Sequence, residues 1–268
     1  MQICYTTYST PKWSPEQIAE RAAALGYQAV ELRAYNGANV RDDLTPADCA
    51  ALRQTFDARA LPICVVGTSC RFSLSDEEAA TNVAVAKKYL KIAAALGAPL
   101  IRVFGGAYDK AKVTEDEAVA RVAGALGELA EPARQAGVKI ALETHDGFSA
   151  GALVGRALRK VQSPNVGACW DWLHPCRVGE SPDQTAEHLK GYVIHSHTKD
   201  ARRNARGGWD AEYFGDGELP LADIFGHMVA QGFDGPLSLE WERGGDPDPE
   251  KALAQYVPAL KALTKDRC

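Results

Sequence analysis

The chain has 268 residues, 46% hydrophobic and 24% charged, with 24 glycines and 14 prolines. That is globular composition, at a length that buries a sizeable core as two small domains or as one large α/β barrel. A formal net charge of −5 and a pI near 5.7 argue against nucleic acid or an anionic membrane as the main partner, while leaving room for a locally basic pocket.

The expected elements alternate from the first residue. A strand at 2–8 leads through YTTYSTP into a helix at 15–25, opened by Ser14-Pro15-Glu16-Gln17, and AALGYQAVEL closes that helix on Gly26 before a strand at 29–33. Thr45-Pro46-Ala47-Asp48 opens a helix at 46–59, followed by a strand at 61–67. Ser75 with Glu78 starts a helix at 76–96 that ends in AALGAPLIRV, with a strand at 100–105; Thr114 with Glu117 starts one at 115–136 that ends in RQAGVKIAL, with a strand at 139–144. A helix at 150–161, a strand at 166–171, a helix at 182–190 opened by Ser181-Pro182-Asp183-Gln184 and a strand at 192–198 come next. A helix at 220–231, VAQGFDGPLSL with a strand at 237–241, and a helix at 249–264 complete the series. Each of these starts places a capping side chain before Pro or three residues ahead of an acid or amide, and each Gly tolerates the left-handed conformation that ends a helix.

Eight strands strictly alternating with eight helices require a parallel sheet, and at this length they favour a single (β/α)8 barrel over residues 1–268. A doubly wound open sheet is the alternative, but no GxGxxG follows the first strand. The seven cysteines (Cys4, Cys49, Cys64, Cys70, Cys169, Cys176, Cys268) are odd in number and include no CxxC pair; they read as buried or catalytic thiols in a reducing compartment, with disulfides and one left over as the alternative that a large core does not need. The N-terminus lacks the pattern of a signal peptide, and no run approaches the roughly 18 apolar residues of a membrane span. A soluble, cytoplasmic protein is expected.

In such a barrel chemistry sits at the carboxyl ends of the strands. There ALETHD supplies Glu143 and His145, CWDWLHP supplies Asp171 and His174, VIHSHTKD supplies His195, His197, Lys199 and Asp200, and LSLEWE supplies Glu240 and Glu242. Alternation puts His195 with His197 on one face, and Glu240 with Glu242 on one face, Glu240 within the regular strand. One Glu, one Asp, one His and one Glu form a mixed oxygen and nitrogen set that suits Mn²⁺, Mg²⁺, Co²⁺ or Zn²⁺, with Mn²⁺ the first expectation. Four unrelated caps and salt bridges are the bland alternative; acids at equivalent ends of adjacent strands weigh against it, because Asp and Glu are disfavoured in strands.

These residues carry a resemblance. GYQAVEL, LGAPLIRVFGG, ALET, WDWLH, HSHTKD, GDGELPL and GFDGPLSLEWE, in this order, resemble the sugar phosphate isomerase/epimerase superfamily of xylose isomerase-like barrels, nearly end to end. That superfamily includes ketose 3-epimerases, inosose isomerase and dehydratase, and 3-dehydroshikimate dehydratases. The resemblance implies that Glu143, Asp171, His197 and Glu240 hold one divalent metal and that His174 and Arg203 contact substrate. It implies proton transfer beside the carbonyl of a small polyhydroxylated substrate through an enediolate, with Glu143 and Glu240 as acid and base. It also implies a homodimer or homotetramer. A dehydratase expelling a β-hydroxyl from the same enolate is the runner-up. A non-catalytic sugar-binding barrel is a third reading, disfavoured because both glutamates are present. A DNA-repair endonuclease of related fold is a fourth, disfavoured because all six histidines lie at 145 or later.

Other residues divide between site and scaffold. Arg102 and Arg71 are placed to hold a phosphate or carboxylate, or to form structural salt bridges. Glu31 ends strand two and lines the pocket or the core. His145 and His195 are expected to orient metal ligands. ARRNARGG at 201–208 reads as a solvated basic flap, His188 and His227 as helix surface, and Cys176 as a bystander thiol. The tryptophans (13, 170, 172, 209 and 241) cluster near strand ends, for stacking on sugar or for core packing.

Overall fold

The computed structural model describes residues 1–242 and 249–265; Cys268 lies outside them. Eight parallel strands close on themselves: β1 (Gln2–Thr6), β2 (Ala29–Leu32), β3 (Ile63–Arg71), β4 (Leu100–Phe104), β5 (Lys139–Glu143), β6 (Val166–Asp171), β7 (Val193–Thr198) and β8 (Pro236–Leu239). Neighbours around the ring follow chain order, and β1 pairs with both β2 and β8. Strands such as AVEL, VGACWD and PLSL are buried along their whole length, as a sheet covered on both faces requires. The fold is a single (β/α)8 barrel.

The outer ring is α1 (Pro15–Ala24), α2 (Pro46–Asp57), α3 (Asp76–Leu96), α4 (Glu115–Ala136), α5 (Gly151–Val161), α6 (Pro182–His188), α7 (Leu221–Ala230) and α8 (Pro249–Thr264). All five expected caps form: the two expected capping boxes at Ser75/Glu78 and Thr114/Glu117, and caps before Pro at Ser14, Thr45 and Ser181 that also close as boxes with Gln17, Asp48 and Gln184. Gly97 and Gly137 close α3 and α4 at φ of 74° and 66°, where a side chain would be strained. The main core fills the space between strands and helices, and a smaller cluster of Cys4, Ala29, Cys64, Val65 and Leu100 lies toward the amino ends of the strands. The six described cysteines are free thiols. Among the described residues no helix is long and apolar enough to cross a membrane.

Three features depart from the alternating expectation. β3 runs to Arg71 rather than 67, and its register against β4 shifts between Gly67 and Arg71. A hairpin of Ala34–Tyr35 with Ala38–Asn39 follows β2, and another of Asp200–Arg203 with Trp209–Glu212 follows β7. The basic segment 201–208 thus belongs to a paired ribbon, turned by Asn204, whose side-chain oxygen accepts from the Arg206 and Gly208 amides. The Asp200 carboxylate accepts from the amides of Gly215, Gly217 and Leu219 at 3.0, 2.9 and 3.3 Å. A Cβ on Gly217 would meet Asp200 Oδ1 at 2.1 Å, so the HTKD and GDGE segments form one clasp that only glycine admits.

Two glycines predict opposite responses to alanine. A Cβ at Gly155 on α5 would lie 2.3 Å from the His188 carbonyl oxygen at the end of α6, whereas one at Gly124 on α4 meets nothing within 4 Å. In urea denaturation, Gly155→Ala is expected to lose about 1–3 kcal/mol, and Gly124→Ala to gain roughly 0.5–1 kcal/mol. Equal effects from the two substitutions would overturn this account of α5–α6 packing.

Candidate functional site

Glu143 ends β5, Asp171 ends β6, His197 lies in β7 and Glu240 follows β8 by one residue. Glu240 thus lies just beyond the strand expected to contain it, yet its amide still bonds the Thr198 carbonyl at 3.0 Å, so the backbone keeps its direction past Leu239. One ligand atom from each of the four falls within 4.8 Å of the other three, and none of the four residues exceeds 6% exposure. His197 Nδ1 lies 3.1 Å from Glu143 Oε1 and 3.2 Å from Glu240 Oε2. Asp171 Oδ1 accepts from the Leu173 and His174 amides at 2.8 and 2.9 Å, which leaves Oδ2 for the centre. Glu143 Oε2 and Asp171 Oδ2 are buried without a hydrogen bond of acceptable geometry. Three carboxylates and one imidazole nitrogen, converging in a buried site, fit a hard or borderline divalent ion.

Positive side chains neutralise these acids. Lys199 Nζ sits 2.5 Å from Glu240 Oε2 and 2.8 Å from Asp171 Oδ2. Burial opposes its charge, but Asp171 and Glu240 hold its proton well above the usual lysine range. Burial alone would push Glu240 up; Lys199 and His197 instead hold it well below the usual carboxylate range. Burial likewise disfavours a charged His197, and Glu31, Glu240 and Glu143 override it, raising its pKa well above the ordinary value. Arg102, 2% exposed, places Nε 3.1 Å from Glu143 Oε2 and donates Nη1 to the Thr68 carbonyl at 2.7 Å. Its guanidinium stacks over Phe104 at 4.1 Å.

Glu31 lies beneath this set. Its Oε2 receives His195 Nε2 at 3.0 Å and His197 Nε2 at 2.9 Å, while His195 Nδ1 donates to the Pro236 carbonyl at 3.1 Å. With Nε2 turned to Glu31, His197 presents Nδ1 to the acids. The sequence by itself assigns Lys199 no role, although its parity with His195 and His197 is the signal that finds it.

The other residues singled out by sequence scatter between the rim and the core. His174 opens a short helical turn (His174–Arg177) after β6; it is buried, packs edge-on against the His145 ring at 4.3 Å, and its Nε2 has no partner. Arg203 is exposed on the hairpin with its guanidinium 4.2 Å from the Trp209 ring. Arg71 is exposed at the end of β3. His188 and His227 place Nε2 3.6 Å from Glu180 and 2.8 Å from Asp183. Trp170 and Trp172 pack in the core, the latter donating to Ser196 Oγ at 2.8 Å. Burial pushes the Cys176 thiol up to about 11, which keeps it unreactive.

Burial pulls His174 down to about 4. The unfolded chain then binds a proton near pH 6.5 that the folded chain refuses until about pH 4. The His174 contribution to stability is therefore fully present above pH 6.5 and is lost as pH falls through this window. Thermal melts of metal-free protein should show His174→Asn losing less stability than wild type between pH 7 and 4; equal losses would remove His174 as the cause.

Solved structures of other proteins share the barrel fold. The IolI protein, in a structure with a bound zinc atom, superposes with a TM-score of 0.84 at 17% identity, over 100% of this chain and 99% of that one. D-Allulose 3-epimerase from Methylomonas sp. superposes at 0.78 with 17% identity, over 98% of each chain. The 3-keto-D-glucoside 4-epimerase YcjR from E. coli superposes at 0.78 with 16% identity, over 99% of each. Among curated proteins, none matches the chain in sequence. The family model for xylose isomerase-like TIM barrels matches residues 19–263, and the chain belongs to that family.

Proposed function

We propose that the protein is a divalent-metal-dependent isomerase or epimerase acting on a small polyhydroxylated ketone. Glu143, Asp171, His197 and Glu240 would hold the metal, and Glu143 and Glu240 would move the proton. The observation that carries this reading is the convergence of the four ligand atoms within 4.8 Å in a buried mouth. Similarity in fold to D-allulose 3-epimerase and to zinc-bound IolI supports it. A bound divalent ion, Mn²⁺ first and Mg²⁺, Co²⁺ or Zn²⁺ alternatively, would supply Lewis acidity to the substrate carbonyl.

The side chains account for the rest. Glu143 and Glu240 reach His197 Nδ1 from different strands, β5 and the end of β8, so one can remove a proton from carbon while the other returns it. Delivery to the opposite face of the same carbon inverts it; delivery to the neighbouring carbon isomerises. Lys199 keeps Glu240 ionised and ready to accept, and His197 with Arg102 does the same for Glu143. His174, neutral at pH 7 with a free Nε2, offers a hydrogen bond to a substrate hydroxyl, and Arg203 would approach from the hairpin.

Elemental analysis followed by exchange in D₂O over a panel of ketoses and cyclic polyol ketones tests the reading. Stoichiometric divalent metal and chelator-sensitive deuterium incorporation are expected, with Glu240→Gln slowing exchange about 10²–10⁴-fold. A protein that binds no divalent metal sinks the ligand assignment, while metal with no exchange shifts the reaction to loss of a β-hydroxyl. Lys199→Met removes a cation that competes for two ligand oxygens. It should tighten Mn²⁺ binding at least about tenfold in equilibrium titration; unchanged affinity would place the ion elsewhere.

A further inference from the structure

Arg33 directly follows β2 at the carboxyl rim. Residues 31 and 33 share a face, and Glu31 reaches His195 and His197 inside the barrel, so Arg33 is the interior residue one layer nearer the opening. Its stem crosses β3 at Gly67, where a Cβ would stand 2.9 Å from Arg33 Cδ. Glycine there makes the bed for this side chain. Arg33 is only 8% exposed; Nη2 donates to Ser69 Oγ at 2.8 Å, and Nη1 is buried with no partner. The Tyr8 ring, 42% exposed just past the end of β1, stands 5.8 Å from the guanidinium.

The other buried cations of the mouth are met by acids: Arg102 by Glu143, Lys199 by Asp171 and Glu240. Among the described residues no carboxylate forms an ion pair with Arg33; the adjacent Glu31 gives Oε2 to the two imidazoles, and its Oε1 lies 3.8 Å from Arg102 Nε. A desolvated guanidinium with an idle N–H is costly unless a negative group completes it, and its planar fork matches the paired oxygens of a carboxylate or phosphate. We propose that Arg33, with the Ser69 hydroxyl, is an oxyanion subsite. It takes the carboxylate or phosphate of an acidic polyhydroxylated carbonyl compound whose ketone end lies over the acids of β5–β8. The orientation of that compound rests on the proposed function; the subsite does not.

Calorimetric titration of metal-free protein at fixed ionic strength with inorganic phosphate, D-glucuronate and D-glucose tests it. One-to-one binding of phosphate or glucuronate is expected, the tighter of the two naming the oxyanion, with no binding of glucose. Arg33→Met should weaken the anion about tenfold or more, and Ser69→Ala about threefold. Should Arg33→Met fail to fold by circular dichroism, Arg33→Lys, which keeps the charge but not the fork, is expected to weaken binding at least about threefold. Wild type that binds neither anion, or variants that bind as wild type does, would overturn the subsite. Anion binding in a protein that takes no divalent metal would sink the proposed function alone, and metal-dependent exchange without anion binding would sink the subsite alone.

Discussion

A carboxylate taken out of water costs several kcal/mol unless opposite charge and hydrogen bonds meet it. This barrel gathers Glu31, Glu143, Asp171 and Glu240, all buried, at one end. His197 stands at their centre and donates in two directions, to Glu31 from one ring nitrogen and toward Glu143 and Glu240 from the other. Lys199 closes the side formed by Asp171 and Glu240, and Arg102 closes the side formed by Glu143. Removing one member leaves a partner charged and dry, which is why these residues act as a unit on both stability and chemistry.

The scaffold supplies what such a unit needs. Small and apolar side chains fill the amino end of the barrel interior, and the charged layers stand above them. The Asp200 clasp ties the hairpin after β7 to the loop before α7, so backbone on the carboxyl side of His197 and Lys199 is fixed by amide donors. Phe104 stacks under Arg102, so the cation that holds Glu143 is itself held in place.

Much of this architecture is legible in the amino-acid sequence. Capping boxes and helix-ending glycines are local signals, complete within three or four residues, and they mark the starts of α1, α2, α3, α4 and α6 and the ends of α3 and α4. Strand positions follow from those helices, and acids at strand ends point to Glu143, Asp171 and Glu240. What the sequence hides is non-local. The partners of Glu31 lie 164 and 166 residues away, and nothing adjacent to it announces them. Lys199 and Arg33 become interpretable only once parity is anchored by a neighbour of known direction, Lys199 by His197 and Arg33 by Glu31. The lengthening of β3 depends on a register shift against β4, and the hairpin at 200–212 on its own pairing; periodicity reports neither.

Closure of β1 on β8 also bears on how the chain is made. A ribosome delivers Glu31 and Arg102 well before His195, His197, Lys199 and Glu240, and the edge of β1 waits unpaired until residues 236–239 emerge. A half-synthesised chain therefore has Glu31 without the two imidazoles that meet it and an open strand edge, and exposed edges of this kind are aggregation-prone. Truncation from the carboxyl end removes the last wall of the ring and the last ligand together, so proteolytic trimming past β8 leaves no partially competent product.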